Sequence, residues 1–195
     1  MKRFKSQIKN NILFFKNFLV NPGSIGSVIP SSRFLSRQIT SKISHSDKPI
    51  VVVELGSGTG VFSQDIINVL KEDDLLFIIE INKHFYTSLK KKFDLNNNVI
   101  IIKDSACNID NILLEHDISK VDFIISGIPF SSLPKQVTYK ILLKCKKIMH
   151  DDSILSLFQY SKVFSKLFEK IFMIKTSYVF RNFPSAFVFH CSLKK

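Results

Sequence analysis

Three carboxylates in this chain, Glu54, Glu80 and Asp104, each close a short run of apolar, largely β-branched residues. The first opens Glu54-Leu55-Gly56-Ser57-Gly58-Thr59-Gly60, where glycine recurs at alternate positions. Glycines at a strand's carboxyl end let the backbone turn sharply and approach a ligand lying there. A pyrophosphate-binding turn has the pattern G-x-G-x-x-G. Here it is G-x-G-x-G with a carboxylate two residues ahead, which repels pyrophosphate and suits a ligand carrying an ammonium group and a sulfonium. Glu80, ending the next strand, can accept hydrogen bonds from both hydroxyls of a ribose. A ribose joined to a cationic amino-acid tail describes S-adenosylmethionine. Asp104, ending the third strand, is expected to accept the adenine amino group beside the Ala106 amide, its alternative role being a helix cap. Ser57, Gly58, Gly60, Ile81 and Ser105 are counted with these as donor-binding residues.

An acceptor for the methyl group should meet the donor at the fourth strand's end. Ser126-Gly127-Ile128-Pro129-Phe130 stands there. Proline removes a backbone donor and fixes φ, so nearby carbonyls are expected to accept from an amine. Phe130 is expected to cover the transfer site. An amine must be neutral to attack a sulfonium, and a low-dielectric pocket favours that form.

These residues need a frame of alternating strands and helices, and the apolar periodicity supplies one. Strands are expected over 50–54, 75–80, 99–102, 121–126 and 153–160, with helices over 62–72, 82–93 and 135–149 and a weaker one reaching about 116. Two closing strands are expected near 171–181 and 186–193. The expected fold is therefore α/β: a doubly wound, mainly parallel seven-stranded sheet, Rossmann-like, with ligands at the carboxyl ends. Upstream, Ser31 or Ser32 caps a helix to about 43, and this segment could close over the donor, which places Ser31 among the donor-binding residues. Residues 1–20 read as an amphipathic helix, with Phe4, Ile8, Ile12, Phe15 and Leu19 on one stripe and lysines on its flank. Such a helix either lies in a membrane interface or packs on the domain. The division expected is 1–20 for this helix and 21–195 for the catalytic domain.

Net charge is +12, from 28 basic and 16 acidic residues, which suits a polyanionic partner, nucleic acid or an anionic membrane, beyond a plain solubility role. Cys107, Cys145 and Cys191 lack metal-ligand spacing and fit reduced thiols in a cytosolic protein, so no metal is expected. No apolar run reaches the roughly 18 residues of a bilayer span. Lys16 and Asn17 break the short apolar core that a cleaved leader would need.

The glycine motif, Glu80, Asp104 and the fourth-strand turn resemble the motifs of class I S-adenosylmethionine-dependent methyltransferases. The whole chain most resembles the small, soluble bacterial phospholipid N-methyltransferases. That resemblance rests on the leading helix, Gly26-Ser27-Val28-Ile29-Pro30-Ser31-Ser32, Glu54 to Gly60, Ser126 to Phe130, and Phe158-Gln159-Tyr160. It implies stepwise methylation of phosphatidylethanolamine towards phosphatidylcholine. The enzyme would be cytoplasmic, docked on the inner face of the cell membrane through its first helix, with anionic phospholipid and an aminophospholipid as partners. Another aminolipid, such as an ornithine lipid, is the alternative acceptor. The rival enzyme class is the rRNA adenine N6-dimethyltransferases, which carry Asn-Ile-Pro-Tyr or -Phe at this turn. Gly127 takes the Asn position, and the 65 residues after Phe130 are consumed by the expected helices and strands, leaving none for an RNA-binding domain. Nucleic acid is therefore the disfavoured partner.

Overall fold

A computed structural model describes residues 32–45 and 47–194. The expected helix over 1–20, Gly26 to Pro30 and Ser31 lie outside the described residues. In chain order the elements are α1 (Arg33–Thr40), β1 (Val51–Leu55), α2 (Val61–Ile67), β2 (Leu75–Ile79), α3 (Lys83–Phe93) and β3 (Val99–Ile102). A 3-10 turn, Ala106–Asn108, leads into α4 (Ile109–Leu114), then β4 (Val121–Ser126), a second 3-10 turn (Phe130–Ser132) and α5 (Lys135–Ile148). The chain continues with β5 (Met149–Gln159), α6 (Ser165–Ile171), β6 (Met173–Val179) and β7 (Ala186–Ser192).

The seven strands form one sheet in the order β3-β2-β1-β4-β5-β7-β6. All pairings are parallel except those of β7, which runs antiparallel to β5 and β6. The direction of winding reverses between β1 and β4, the switch point at which open α/β sheets bind ligands. Side chains alternate across each strand, so the two faces carry separate cores. Val53, Leu55, Phe77 and Ile79 face α4, α5 and α6, while Val52, Leu76 and Ile78 face α1, α2 and α3. Leu35 and Ile39 of α1 are wholly buried on the second face, and each such side chain contributes about 1.5–3 kcal/mol. That alternation sends Glu54 to the same face as Val52, towards α2.

The helix expected over 62–72 stops at Ile67. Asn68 caps it, its amide reaching back to the Gln64 and Ile66 carbonyls, and Val69 is left exposed. β5 begins at Met149, directly after α5 and four residues before the expected start. A register shift between Val121 and Phe123 absorbs the extra length. α6 was not expected. Phe164, Phe168 and Ile171, spaced by four and three, mark its buried face.

Candidate active site

The glycine turn is sewn to the sheet on both sides. The Gly56 amide donates to the Ile79 carbonyl at 2.9 Å, and the Gly127 amide donates to the Leu55 carbonyl at 2.9 Å. Gly56, Gly58 and Gly60 all have positive φ, at 70°, 55° and 77°. A Cβ at Gly60 would sit 2.8 Å from Leu89 and 2.9 Å from Phe93, so this glycine lets α3 pack against the turn. At Gly58 nothing lies within 4 Å, leaving that backbone open on the carboxyl-end side.

Glu54 is fully buried. Its Oε2 accepts the Ser63 hydroxyl at 2.6 Å, while Oε1 has no hydrogen-bond partner among the described residues. The Ser57 hydroxyl lies near this carboxylate without closing a hydrogen bond and is likewise buried. Burial pushes the Glu54 carboxyl up to about 7, partly offset by the Ser63 hydrogen bond and reinforced by Glu80. An unpartnered carboxylate oxygen beside an open glycine turn fits a ligand that brings a cationic donor.

Glu80, 3% exposed, spans two amides: Oε2 accepts from Gly58 at 2.9 Å and Oε1 from Asn82 at 2.8 Å. Each oxygen retains a second acceptor site. Ile81, next along, stands 65% exposed. Asp104 is fastened to the Ala106–Asn108 turn, its Oδ1 accepting from the Ser105 amide and from Asn108 Nδ2 at 2.9 Å. The Ser105 hydroxyl caps the same turn through the Cys107 amide at 3.2 Å, and Ala106 is buried. Glu54, Glu80, Asp104 and the glycines thus gather at the carboxyl ends of β1, β2 and β3.

The Ser126–Phe130 loop adjoins them at the tip of β4, with two departures from expectation. Phe130 is wholly buried, edge-on to Phe168 at 6.0 Å between ring centroids, and so packs the core instead of covering an open site. The loop carbonyls are mostly engaged. Ile128 accepts from the Phe130 amide and from Gln159 Nε2, both at 3.0 Å, and Pro129 accepts from the Ser132 amide at 2.8 Å. Of the Gly127, Ile128 and Pro129 carbonyls, only that of Gly127 meets no donor among the described residues. The Ser126 hydroxyl is buried and accepts the Ile128 amide at 3.3 Å.

Gln159 has a role that sequence reasoning missed. From the end of β5 it donates to Ile128 and accepts the Ser131 amide at 3.4 Å, clamping the loop at both ends. Only the pairing of β5 beside β4 brings it there, and Phe158-Gln159-Tyr160 at a strand end was the available signal. Gln159→Ala is expected to cost about 1–3 kcal/mol, read as a lower melting temperature. Donor affinity should be unchanged, because among the described residues Gln159 makes its hydrogen bonds to Ile128 and Ser131 and none to the glycine turn.

Among the described residues no group of three His, Cys, Asp or Glu is arranged to hold a metal, and no helix is long and apolar enough to cross a membrane.

Comparison with known proteins narrows the chemistry. An ornithine lipid N-methyltransferase from Singulisphaera acidiphila is 27% identical over 94% of this chain and 96% of its own length. Ribosomal RNA small subunit methyltransferase A from Ureaplasma parvum is also 27% identical, over 72% of this chain, which spans about half (53%) of that relative. Among solved structures, a precorrin-6y C5,15-methyltransferase from Geobacter metallireducens superposes with a TM-score of 0.65, at 14% identity over 82% of this chain and 88% of that one, a likeness of fold. The chain is an S-adenosylmethionine-dependent methyltransferase. Residues 7–181 match the ribosomal RNA adenine dimethylase family, and the chain belongs to that family.

Proposed function

We propose that this methyltransferase acts on the primary amine of a membrane aminolipid. An ornithine lipid is the first candidate and phosphatidylethanolamine the second. Both present an amine at a bilayer surface, and the end-to-end similarity to the Singulisphaera enzyme favours the ornithine headgroup. Family membership accounts for the fold and the donor, whereas the acceptor is chosen by the loop beside it.

Gly127 is the observation that carries this reading. It occupies the position of the asparagine with which adenine-methylating relatives hold their base. A Cβ there would come 2.5 Å from the Gly56 carbonyl oxygen. No amide side chain fits along this backbone, so the group that would grip a nucleobase is absent for a steric reason.

S-adenosylmethionine supplies an electrophilic methyl on a sulfonium. The Glu54 carboxylate and Ser57 hydroxyl are assigned to its ammonium end, with Gly56, Gly58 and Gly60 giving backbone access. Glu80 is assigned to the ribose through its remaining acceptor sites, Ile81 to the adenine face, and Asp104 with Ser105 and Ala106 to the adenine edge. Ser126 to Pro129 form the acceptor loop, in which the Gly127 carbonyl can orient the amine, and Phe130 holds that loop from within the core. Residues 1–20, lysine-rich and amphipathic, support attachment to an anionic membrane face, and the +12 charge is read in the same way.

The test is to incubate the purified chain and S-adenosylmethionine with vesicles containing ornithine lipid, with vesicles containing phosphatidylethanolamine, and with undermethylated ribosomal particles. Extracted lipids are resolved by mass. Methyl additions to aminolipid are expected. Methylation of the particles alone would overturn the proposal in favour of the base-modifying activity that the family description names.

A further inference from the structure

We infer that the turn between β6 and β7 is a second membrane-docking element, a wedge that enters the headgroup region of an anionic bilayer. This rests on the aminolipid reading and adds a contact that reading does not require.

Phe180 and Phe183 are 71% and 78% exposed in this turn. A phenyl ring has no polar atom to reward hydration, so two of them on one short turn mark an interaction surface. They are held out by design of the turn. The buried Asn182 accepts the Ser32 amide through Oδ1 at 2.8 Å and donates Nδ2 to the Pro184 carbonyl at 2.7 Å, tying the turn to the start of α1. The Arg181 guanidinium lies 5.0 Å from the Phe34 ring and 5.7 Å from the Phe180 ring, so a cation is fixed between two exposed rings. Phenyl groups at acyl depth with an arginine at phosphate level is the pattern of an interfacial anchor. Its surroundings match in charge. Lys162 Nζ lies 4.9 Å from the ring of Phe187, the second residue of β7, and Arg33 follows Ser32 at the start of α1.

Placement links the wedge to catalysis. Gln159 pairs with Phe187 and Val179 with Ala186, so the turn emerges at the same sheet end as the glycine turn and the acceptor loop. With strands about 4.8 Å apart, the β7–β6 turn lies roughly 10–15 Å from the tip of β4. A headgroup drawn from the bilayer the wedge enters has only that distance to travel. Nucleic acid is the competing occupant. A base is held in a slot between flanking groups, whereas these rings stand on a protruding turn, which suits a fluid interface.

The chain contains no tryptophan, so Phe183→Trp in the full chain is a single reporter. On phosphatidylglycerol vesicles its emission is expected to shift to the blue and to be quenched by brominated acyl chains. Leu95→Trp, at a 97% exposed site in the loop before β3 at the opposite sheet end, is expected to stay in water. The double variant Phe180→Ser/Phe183→Ser should lose about tenfold or more in vesicle affinity. It should still methylate a short-chain, dispersed aminolipid. A water-exposed Trp reporter at 183 on vesicles that the protein binds, no vesicle binding at all, or a response to RNA alone would overturn the wedge. Burial of that reporter without methylation of dispersed aminolipid by the unmodified chain would support the wedge and remove only the acceptor assignment.

Discussion

Replacing Glu54 with glutamine is expected to raise the stability of the donor-free chain at pH 8 and to weaken S-adenosylmethionine binding. Burial raises this carboxyl from 4.5 to about 7. Between those two values the unfolded chain releases the proton and the native chain keeps it. Native stability therefore falls as pH rises through this window, and Glu54's share is roughly 3 kcal/mol. Above pH 7 the charge sits in place with Oε1 unpartnered and the cost persists. Glutamine keeps an oxygen for the Ser63 hydroxyl and brings no charge. Melting curves should place Glu54→Gln above the native chain at pH 8, with the gap closing towards pH 5. An ammonium group reverses the preference, since it stabilises the ionised carboxylate. S-adenosylmethionine affinity of the native chain should therefore rise with pH through 7, and binding near pH 6 should release protons, visible as buffer-dependent heats in calorimetry. Losing a charge-assisted hydrogen bond of about 1.5–3 kcal/mol lowers affinity by roughly ten- to a hundredfold. A Gln variant that melts lower at pH 8, or binds the donor as the native chain does, would remove Glu54 from this role.

The strand tips were legible because each ends in a residue whose type is wrong for a core. Glu54 after Ile50–Val53, and Glu80 after Leu75–Ile79, stand out from apolar runs, and their parallel registers follow from buried strands of matching length. The acceptor loop was half legible. Ser126-Gly127-Ile128-Pro129-Phe130 could be placed at β4 from sequence, yet the partners of its carbonyls could not. Those depend on Gln159, which lies 31 residues from Ile128 and reaches it only once β5 pairs with β4. Phe130 was misread for a related reason. An aromatic after a proline turn faces a ligand or the core according to what α6 puts beneath it, and Phe168 supplies a core partner. Asp104 could be placed at the tip of β3 from sequence, but not the hydrogen bonds its Oδ1 accepts from the Ser105 amide and Asn108 Nδ2, one and four residues on.

Gly127→Ala should be among the most damaging single changes in this chain, and its effect should exceed that of Gly58→Ala, although the latter changes a more visible motif. At Gly58 a methyl group meets nothing within 4 Å, and the penalty is the positive φ of 55°, about 1–2 kcal/mol. At Gly127 the obstacle is the Gly56 carbonyl oxygen, 2.5 Å from the new carbon. That oxygen cannot retreat freely. The Gly56 amide is bonded to Ile79, the Gly127 amide to Leu55, and a Cβ on Gly56 would itself meet Ile128 Cγ1 at 2.9 Å. Relief therefore means parting the glycine turn from the acceptor loop, at a cost on the scale of core overpacking, about 1–3 kcal/mol or more. Donor and acceptor sites separate together, so methyl transfer should fall by at least a hundredfold, on the measure that a misplacement of about 1 Å already costs that much. Gly127→Asn, which restores the residue of the base-modifying relatives, meets the same oxygen and should gain no activity on ribosomal particles. A stable Gly127→Asn variant that methylates adenine in those particles would show that the loop can move aside, and would return the acceptor from lipid to RNA.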